Sequence, residues 1–338
     1  MLQKIKNIYH FGIAIFANIW FGFPSRRLTV IGVTGTDGKT TTTSLIYHIL
    51  KTAGLKVSMI SSVSAVIDNK QYSLPFHVTT LPPFALQRFI SMAASGSKTK
   101  IGKKYLVLEV TSHALDQFRV FGTDFDIGVI TNVSNEHLDY HKTYKEYVKT
   151  KLKLLQGSKI VVVNKEDRSY KIIQPELKKI VNKISRVVAY GLNSSSDVNL
   201  SNSPFQTKLL GEFNKYNILA AYAVAGLLGI KDSMIKKGIA SFEPTIGRQD
   251  VVYDKDFRVM IDFAHTPNSF KEILSSVRPI TNGKIIHVFG SAGERDRTKR
   301  PEMGKISSMF SDILVVTAED PRSENIDKIN ADILSGVR

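Results

Sequence analysis

The chain has 338 residues, with 46 Lys and Arg against 30 Asp and Glu, for a formal net charge of +16. At 43% hydrophobic and 22% charged residues it has the composition of a globular protein, which excludes wholesale disorder and collagen-like or coiled-coil chains. It contains no cysteine, which excludes disulfides, thiolate zinc sites, iron–sulfur clusters and cysteine nucleophiles. That usage suits a reducing compartment, and a cytoplasmic protein is expected. The basic balance predicts attraction to polyanions, among them nucleic acid, anionic membrane surfaces and phosphorylated small molecules. No RNP, zinc-finger or helix-turn-helix pattern is present and the lysines are spread along the chain, so a nucleic-acid partner is not expected. At about 100–200 residues per domain, the length predicts two domains.

Residues 1–27 form a lead segment, with Lys4 and Lys6 ahead of an apolar stretch from Phe11 to Phe23. The stretch falls short of the ~20 apolar residues of a spanning helix, and no A-x-A-like cleavage site follows. Two readings remain: a helix packed on the first domain, or a helix lying at a membrane interface and carrying Trp20. From Leu28 onward, apolar runs alternate with helical patterns. LTVIGV (28–33), YLVLEV (105–110), DIGVIT (126–131) and KIVVV (159–163) read as buried parallel strands, and 39–53, 84–94 and 213–229 as helices. The rhythm restarts after Gly247-Arg248 with FRVMIDF (257–263), KIIHVFG (284–290) and DILVVT (312–317). The expected fold is α/β, with a doubly wound central sheet of the P-loop NTPase kind over 28–245 and a smaller Rossmann-like α/β domain over 246–338.

The first strand runs into Gly32-Val33-Thr34-Gly35-Thr36-Asp37-Gly38-Lys39-Thr40-Thr41 and then a helix. That is the context of a phosphate-binding loop: glycines turn backbone N–H groups toward phosphate, Lys39 reaches the outer phosphates, and the Thr40 hydroxyl suits Mg²⁺. The strict pattern would put its first glycine at 33, which is Val; here Gly32 stands one residue earlier. Glu109 closes the strand YLVLEV at the sheet edge where ligands of open α/β folds bind, a position that suits a Mg²⁺ ligand. The next strand leads into Asn132, Asn135, Glu136, His137, Asp139 and His141. His137 and His141 have i,i+4 spacing, but Leu follows His137 and no third ligand is suggested, so a zinc hydrolase is not expected. On the helix 143–155, Tyr144, Tyr147, Val148, Lys151 and Leu155 share a face, while Lys145, Lys149 and Lys153 lie on another. Lys151 therefore points with the apolar stripe, where it either snorkels to the surface or serves the site.

These motifs resemble those of the Mur ligases, which join amino acids to peptidoglycan precursors. VTGTDGKTTTT is similar to the family's ATP loop, with its offset first glycine and with Asp37 where most members carry Asn. EVTSHALDQFRV (109–120), TNVSNEHLDYH (131–141) and Tyr147 to Lys151 resemble the members that add the third residue of the stem peptide. The resemblance covers about Leu28 to Val337 and implies an ATP-dependent, ADP-forming amide ligase acting through an acyl phosphate. It implies cradling of ATP by Gly35, Thr36, Asp37, Gly38, Lys39, Thr40 and Thr41. It also implies Mg²⁺ held by Thr40, Glu109 and His137, with Lys151 as a carbamate. Thr79, Thr80, Ser112, His113 and Arg119 would lie near the muramoyl-peptide substrate, with Leu81 intervening in the Thr-Thr-Pro loop.

The resemblance extends into the second half. LLGEFNKYN matches a helix start whose Asn214 and Asn217 meet adenine; by residue type alone they would be capping residues. Gly247-Arg248 matches a hinge arginine for the γ-phosphate, with a second domain that closes over ATP, and IDFAHTPNS places Asp262 at ribose and His265 near the nucleotide. GERDRTKRP brings Arg295, Lys299 and Arg300 to a helix start, where clustered cations read independently as an anion site. AEDPRSE matches the motif that selects the incoming amino acid. Arg322 there suits a diaminopimelate carboxylate, while Asp320 replaces the usual Asn, so diaminopimelate is favoured weakly over lysine. The partners implied are a muramoyl peptide and an amino acid, with the chain acting as a monomer. Members normally begin with a UDP-holding domain of about one hundred residues and continue past the point where this sequence stops, so a fragment or a reduced enzyme is expected. Two alternatives are a folylpolyglutamate-synthase-like ligase, against which SHALDQ and HLDYH argue, and a non-catalytic nucleotide-binding partner in cell-wall assembly.

Overall fold

The computed structural model describes residues 2–74, 80–97, 104–134, 136–180 and 182–337. It divides into two compact units: Met1–Glu136 with Thr143–Lys208 and Lys215–Glu243, and His137–Lys142 with Leu209–Asn214 and Pro244–Arg338. The elements begin with α1 (Leu2–Trp20), β1 (Thr29–Thr34), α2 (Lys39–Thr52), β2 (Lys56–Ile60), β3 (Ala65–Ile67), β4 (Lys70–Tyr72), α3 (Pro83–Ala93) and β5 (Lys104–Glu109). They continue with α4 (Ser112–Asp116), β6 (Phe125–Ile130), α5 (Leu138–His141), α6 (Tyr144–Gln156), β7 (Ser158–Asn164), α7 (Tyr170–Lys179) and β8 (Arg186–Tyr190). After them come α8 (Glu212–Leu227), α9 (Asp232–Ala240), β9 (Asp250–Asp254), β10 (Arg258–Ile261), α10 (Pro267–Val277), β11 (Ile286–Phe289), α11 (Lys299–Phe310), β12 (Ile313–Val316) and α12 (Ile326–Leu334).

The first unit holds one eight-stranded sheet in the order β4-β3-β2-β5-β1-β6-β7-β8. The strands from β2 to β8 in that order are parallel, and β3 and β4 add an antiparallel hairpin. The hairpin turns at Asp68-Asn69, both at positive φ, the backbone a tight two-residue turn requires. β1, β5, β6 and β7 read as unbroken apolar runs because both sheet faces are covered. One cluster packs Leu28, Val30, Leu86, Ile90, Leu106, Leu108 and Leu154. Another packs Ile130, Tyr147, Val148, Leu152, Val161, Val163 and Ile173. Val33 pairs with Glu109 and Thr34 with Ile130, so the C-terminal ends of β1, β5 and β6 share one edge. The chain leaves β1 for β2 on one side and later lays β6 on the other, and such a reversal opens a ligand crevice.

The lead segment is a helix packed on this unit. Ala14, Ala17 and Asn18 are buried; Asn18 Nδ2 donates to Phe121 O at 2.7 Å and Asn7 Nδ2 to Asp116 Oδ2 at 3.2 Å. No helix among the described residues is long and apolar enough to cross a membrane.

In the second unit Phe270, Ile273, Leu274, Phe289, Met303, Ile329 and Ile333 form the core. Thr266 caps α10 in a reciprocal pair with Ser269, and Pro267 occupies its first turn. KIIHVFG and DILVVT become the parallel pair β11 and β12. FRVMIDF departs from the expected parallel arrangement: its core, β10, pairs antiparallel with β9 as a separate ribbon, bulged at Val259/Met260. The physical reason is local, since Lys255 N bonds Phe257 O across a tight turn that folds the two segments together.

Candidate active site

The turn after β1 is built around two glycines. A Cβ on Gly35 would stand 1.8 Å from Thr131 Oγ1, and one on Gly38, at φ +78°, would stand 2.1 Å from Asn217 Oδ1. The turn is held in shape from the end of β6. Thr36 N donates to Asn132 O at 2.8 Å, Asp37 N to Asn132 Oδ1 at 3.0 Å, and Thr131 Oγ1 to Asp37 O at 2.7 Å. Lys39 Nζ donates to Thr36 O at 2.7 Å. Gly38 at the head of α2 provides no side-chain cap, and a glycine-led helix start of this kind suits an anion. Gly32 stands apart from this turn. It lies within β1, where a Cβ would strike Phe125 and Leu154 at 2.7–2.8 Å, so its role is close packing rather than phosphate contact.

Glu109 is 1% exposed at the end of β5. Its Oε1 accepts from Thr40 Oγ1 at 3.2 Å and its Oε2 from Ser62 N at 2.9 Å, while Thr40 Oγ1 and Ser62 Oγ are 3.0 Å apart. No cationic side chain among the described residues pairs with this carboxylate. A buried carboxylate without a counter-charge is costly, and a cluster of hydroxyl and carboxylate oxygens fits a small hard cation such as Mg²⁺.

Lys151 does not snorkel; it is 1% exposed. Its Nζ donates to Gly35 O at 2.5 Å and lies 4.4 Å from the centre of the Tyr147 ring. Burial, and secondarily the charge of Lys39, push its pKa well below the ordinary lysine value. Tyr147, also buried, meets Thr36 Oγ1 at 3.3 Å, and burial pushes its phenol upward. The remaining lysines of α6, Lys145, Lys149 and Lys153, are exposed as expected.

Thr80 is buried beside the same edge. Its Oγ1 donates to Glu109 O at 3.3 Å and accepts from Thr111 N at 3.1 Å, and its carbonyl accepts from Arg119 Nη1 at 3.0 Å. Thr111 caps α4, whose first turn carries Ser112 and His113. Thr79 and Asn135 lie outside the described residues. Asn217 accepts from Thr42 Oγ1 at 3.3 Å, so its amide braces the glycine turn. The first unit thus gathers the turn, Glu109, Lys151, Thr80, Arg119 and Asn217. Ser62, Thr131 and Asn132 are additional members. Thr131 and Asn132 stand where β6 ends, a position that could have flagged them, whereas nothing in the SSVS stretch marks Ser62.

In the second unit, His137 adopts a left-handed backbone (φ +54°) and its carbonyl accepts from His141 N at 2.9 Å. Asn214 Nδ2 donates to Leu210 O at 2.8 Å. The Arg248 guanidinium lies 4.2 Å from the Phe263 ring, which in turn contacts His265. Asp262 accepts from Gln249 N and Ala264 N at 2.9 and 2.8 Å, and Lys299 Nζ donates to His265 O at 2.9 Å. Asp320 and Arg322 approach to 3.5 Å, and Gly293 N donates to Asp320 O at 2.8 Å. The cations near α11 are not all available to an anion. Arg300 is fully buried and bonds Glu324 and Asp332 at 2.8–2.9 Å, and Arg297 reaches Glu324 at 3.0 Å. Arg295 is exposed.

Strand, glycine turn and helix N-terminus, with an oxygen cluster at the same sheet edge, define a nucleotide-binding protein of the P-loop-like class. Residues 33–225 match the Mur ligase middle domain and residues 247–338 the Mur ligase glutamate ligase domain. Curated relatives include UDP-N-acetylmuramoyl-L-alanyl-D-glutamate–2,6-diaminopimelate ligases of Aquifex aeolicus, 38% identical over 95% of this chain and 67% of the relative, and of Clostridium botulinum, 34% identical over 96% and 69%. A solved ligase of the same description superposes with a TM-score of 0.65 at 27% identity, over 92% of this chain and 66% of the other. Mycobacterium tuberculosis folylpolyglutamate synthase, solved with ADP and AMPPCP, shares the fold (TM-score 0.72, 17% identity, 95% and 82% coverage). The chain belongs to the Mur ligase family, a family of ATP-dependent, ADP-forming amide ligases. It spans about two thirds of the length of the curated relatives it matches.

Proposed function

We propose that this chain is an ATP-dependent amide-bond ligase of peptidoglycan precursor synthesis. It adds the third residue, diaminopimelate in preference to lysine, to a UDP-N-acetylmuramoyl-dipeptide. The observation that carries the reading is the buried Glu109 carboxylate bonded to Thr40 of the phosphate turn. In this reading the substrate carboxylate attacks the γ-phosphate of ATP, releasing ADP and forming an acyl phosphate. The incoming amine then attacks the acyl carbon and inorganic phosphate leaves.

The protein's part is charge stabilisation and positioning. Lys39 and the α2 N-terminus take the phosphates, and Thr40, Glu109 and His137 would hold Mg²⁺, which when bound supplies positive charge against the phosphate oxygens. A lysine kept neutral by burial attacks CO₂ through its nitrogen lone pair and loses one proton. Lys151 thereby becomes a carbamate, an anion in place of a cation beside the phosphate turn. Thr79, Thr80, Ser112, His113 and Arg119 are assigned to the muramoyl peptide. Arg248, Asp262, His265, Asn214 and Asn217 are assigned to the nucleotide, and Arg295, Lys299, Asp320 and Arg322 to the amino acid. Residues 28–245 form the ATP-binding domain and 246–338 the second domain of a cytoplasmic monomer.

The test is phosphate release from ATP with muramoyl-dipeptide and a panel of amines. Release that requires both the dipeptide and diaminopimelate, and is weaker with lysine, supports the reading. Release that requires a folate instead, or none that depends on an amine, refutes it.

A further inference from the structure

Helix α1 turns Asn7 and Asn18 toward the body of the unit and leaves a broad apolar face outward. Asn7 and Asn18 bond the 116–121 segment, while Ile8, Tyr9, Ile15, Phe16, Ile19 and Trp20 are exposed, by 70, 66, 37, 55, 62 and 66%. At 3.6 residues per turn these six and Gly12 fill one continuous arc of roughly 140°. A helix facing water carries polar residues on such an arc. The patch extends onto α3, where Phe84, 39% exposed, lies 6.4 Å ring to ring from both Phe16 and Trp20, and 5.0 Å from Phe21.

Basic residues predominate in this part of the chain. From Met1 to Leu108 the chain has thirteen Lys and Arg and only two acidic residues, Asp37 and Asp68. Neither α1 nor α3 contains an Asp or Glu. Lys6 is exposed at the margin of the arc, Arg88 is exposed one turn beyond Phe84, and Arg26 is exposed over the Phe23 ring at 4.4 Å. Exposed Trp, Tyr, Phe and Ile ringed by cations, on a helix too polar to span, is the composition of an element that lies in the headgroup layer of an anionic bilayer. A protein partner with a matching acidic rim would need a defined apolar pocket; a lipid surface needs none.

We infer that the α1–α3 face seats the protein on an anionic lipid surface, with α1 in the membrane plane. This goes beyond the ligase reading and does not rest on it. Trp20 is the only tryptophan in the chain, so its emission reports directly from the patch. The experiment titrates the full chain with vesicles of equimolar phosphatidylglycerol and phosphatidylcholine, and with vesicles of phosphatidylcholine alone. The expected result is a blue shift with the anionic vesicles, quenching by brominated acyl chains, and weakening by salt. The double variant Phe16→Ser with Ile19→Ser, at exposed positions and checked by circular dichroism, keeps the probe and partitions about tenfold more weakly; Lys6→Glu with Arg88→Glu weakens binding to the anionic vesicles. No shift with anionic vesicles, or an equal shift with both kinds, overturns the inference. A shift that grows with protein concentration in the absence of lipid also overturns it, in favour of a second copy of the chain.

Discussion

Lys151 sits where burial and charge oppose each other. Its folded-state pKa is lowered from the 10.5 of an unperturbed lysine, first by desolvation and then by Lys39. Between the lowered value and 10.5 the unfolded chain binds the extra proton, so unfolding free energy rises with pH across that window and is smaller below it. Lys151→Met removes the titration. Its denaturant midpoint should stay flat over a window where that of the parent chain climbs, and parallel profiles would show that the shift is absent. For turnover, Lys151→Ala should lose most activity and regain part of it with short carboxylic acids, which replace the carbamate; full turnover in the variant would exclude the role. Gly38 is bound by geometry instead. At φ +78°, and with the Asn217 amide 2.1 Å from any added Cβ, Gly38→Ala should cost about 2 kcal/mol and abolish binding of a fluorescent ATP analogue. Its folded-state circular dichroism should persist. The GKT signature made this turn legible from residue order alone. Ser62 was not legible, because its amide reaches Glu109 across 47 positions of sequence.

Among elements, the loops flanking α11 show how a buried ion pair organises backbone. Arg300 clamps Glu324 and Asp332. Glu294 N donates to Glu324 Oε2 at 3.0 Å, and Ser323 Oγ bonds Glu294 Oε1. Gly293 lies so close to Pro321 O that a Cβ would come within 2.0 Å of it. Replacing Arg300 by Ala removes the buried guanidinium that joins Glu324 to Asp332 and should destabilise the second unit by about 3 kcal/mol in chemical denaturation. The hydrogen bond from Arg300, then that from Glu294 N, holds the Glu324 carboxyl down to about 2 from 4.5. Its contribution is therefore complete above 4.5 and disappears as pH falls toward 2. Glu324→Gln should flatten the acid limb of the unfolding curve; an unchanged limb would place the acid transition elsewhere. Clustered cations alone suggested an open anion site here, because Glu324 and Asp332 lie 24 and 32 residues from Arg300. Likewise β10 read as another parallel strand, since its apolar run carries no mark of which neighbour it will pair with.

For the molecule as a whole, a charge of +16 draws in polyanionic nucleotides over long range. As salt rises from about 0.01 to 0.1 M the Debye length shrinks from about 30 to 10 Å, so stopped-flow association of ATP should slow several-fold; a salt-independent rate would mean that the field at the site is local. The order of residues determined the α/β rhythm, the phosphate turn and the carboxylate at a strand end, because each depends on neighbours within a few positions: hydrophobic period, glycine conformation and helix start. The tertiary structure alone decided which charges are buried. It placed Lys151 against Gly35, gave Glu109 its hydroxyl and amide partners, neutralised Arg300, and left the aromatic arc of α1 facing outward. Burial and charge pairing are sums over groups far apart in sequence, and no local pattern of residues records them.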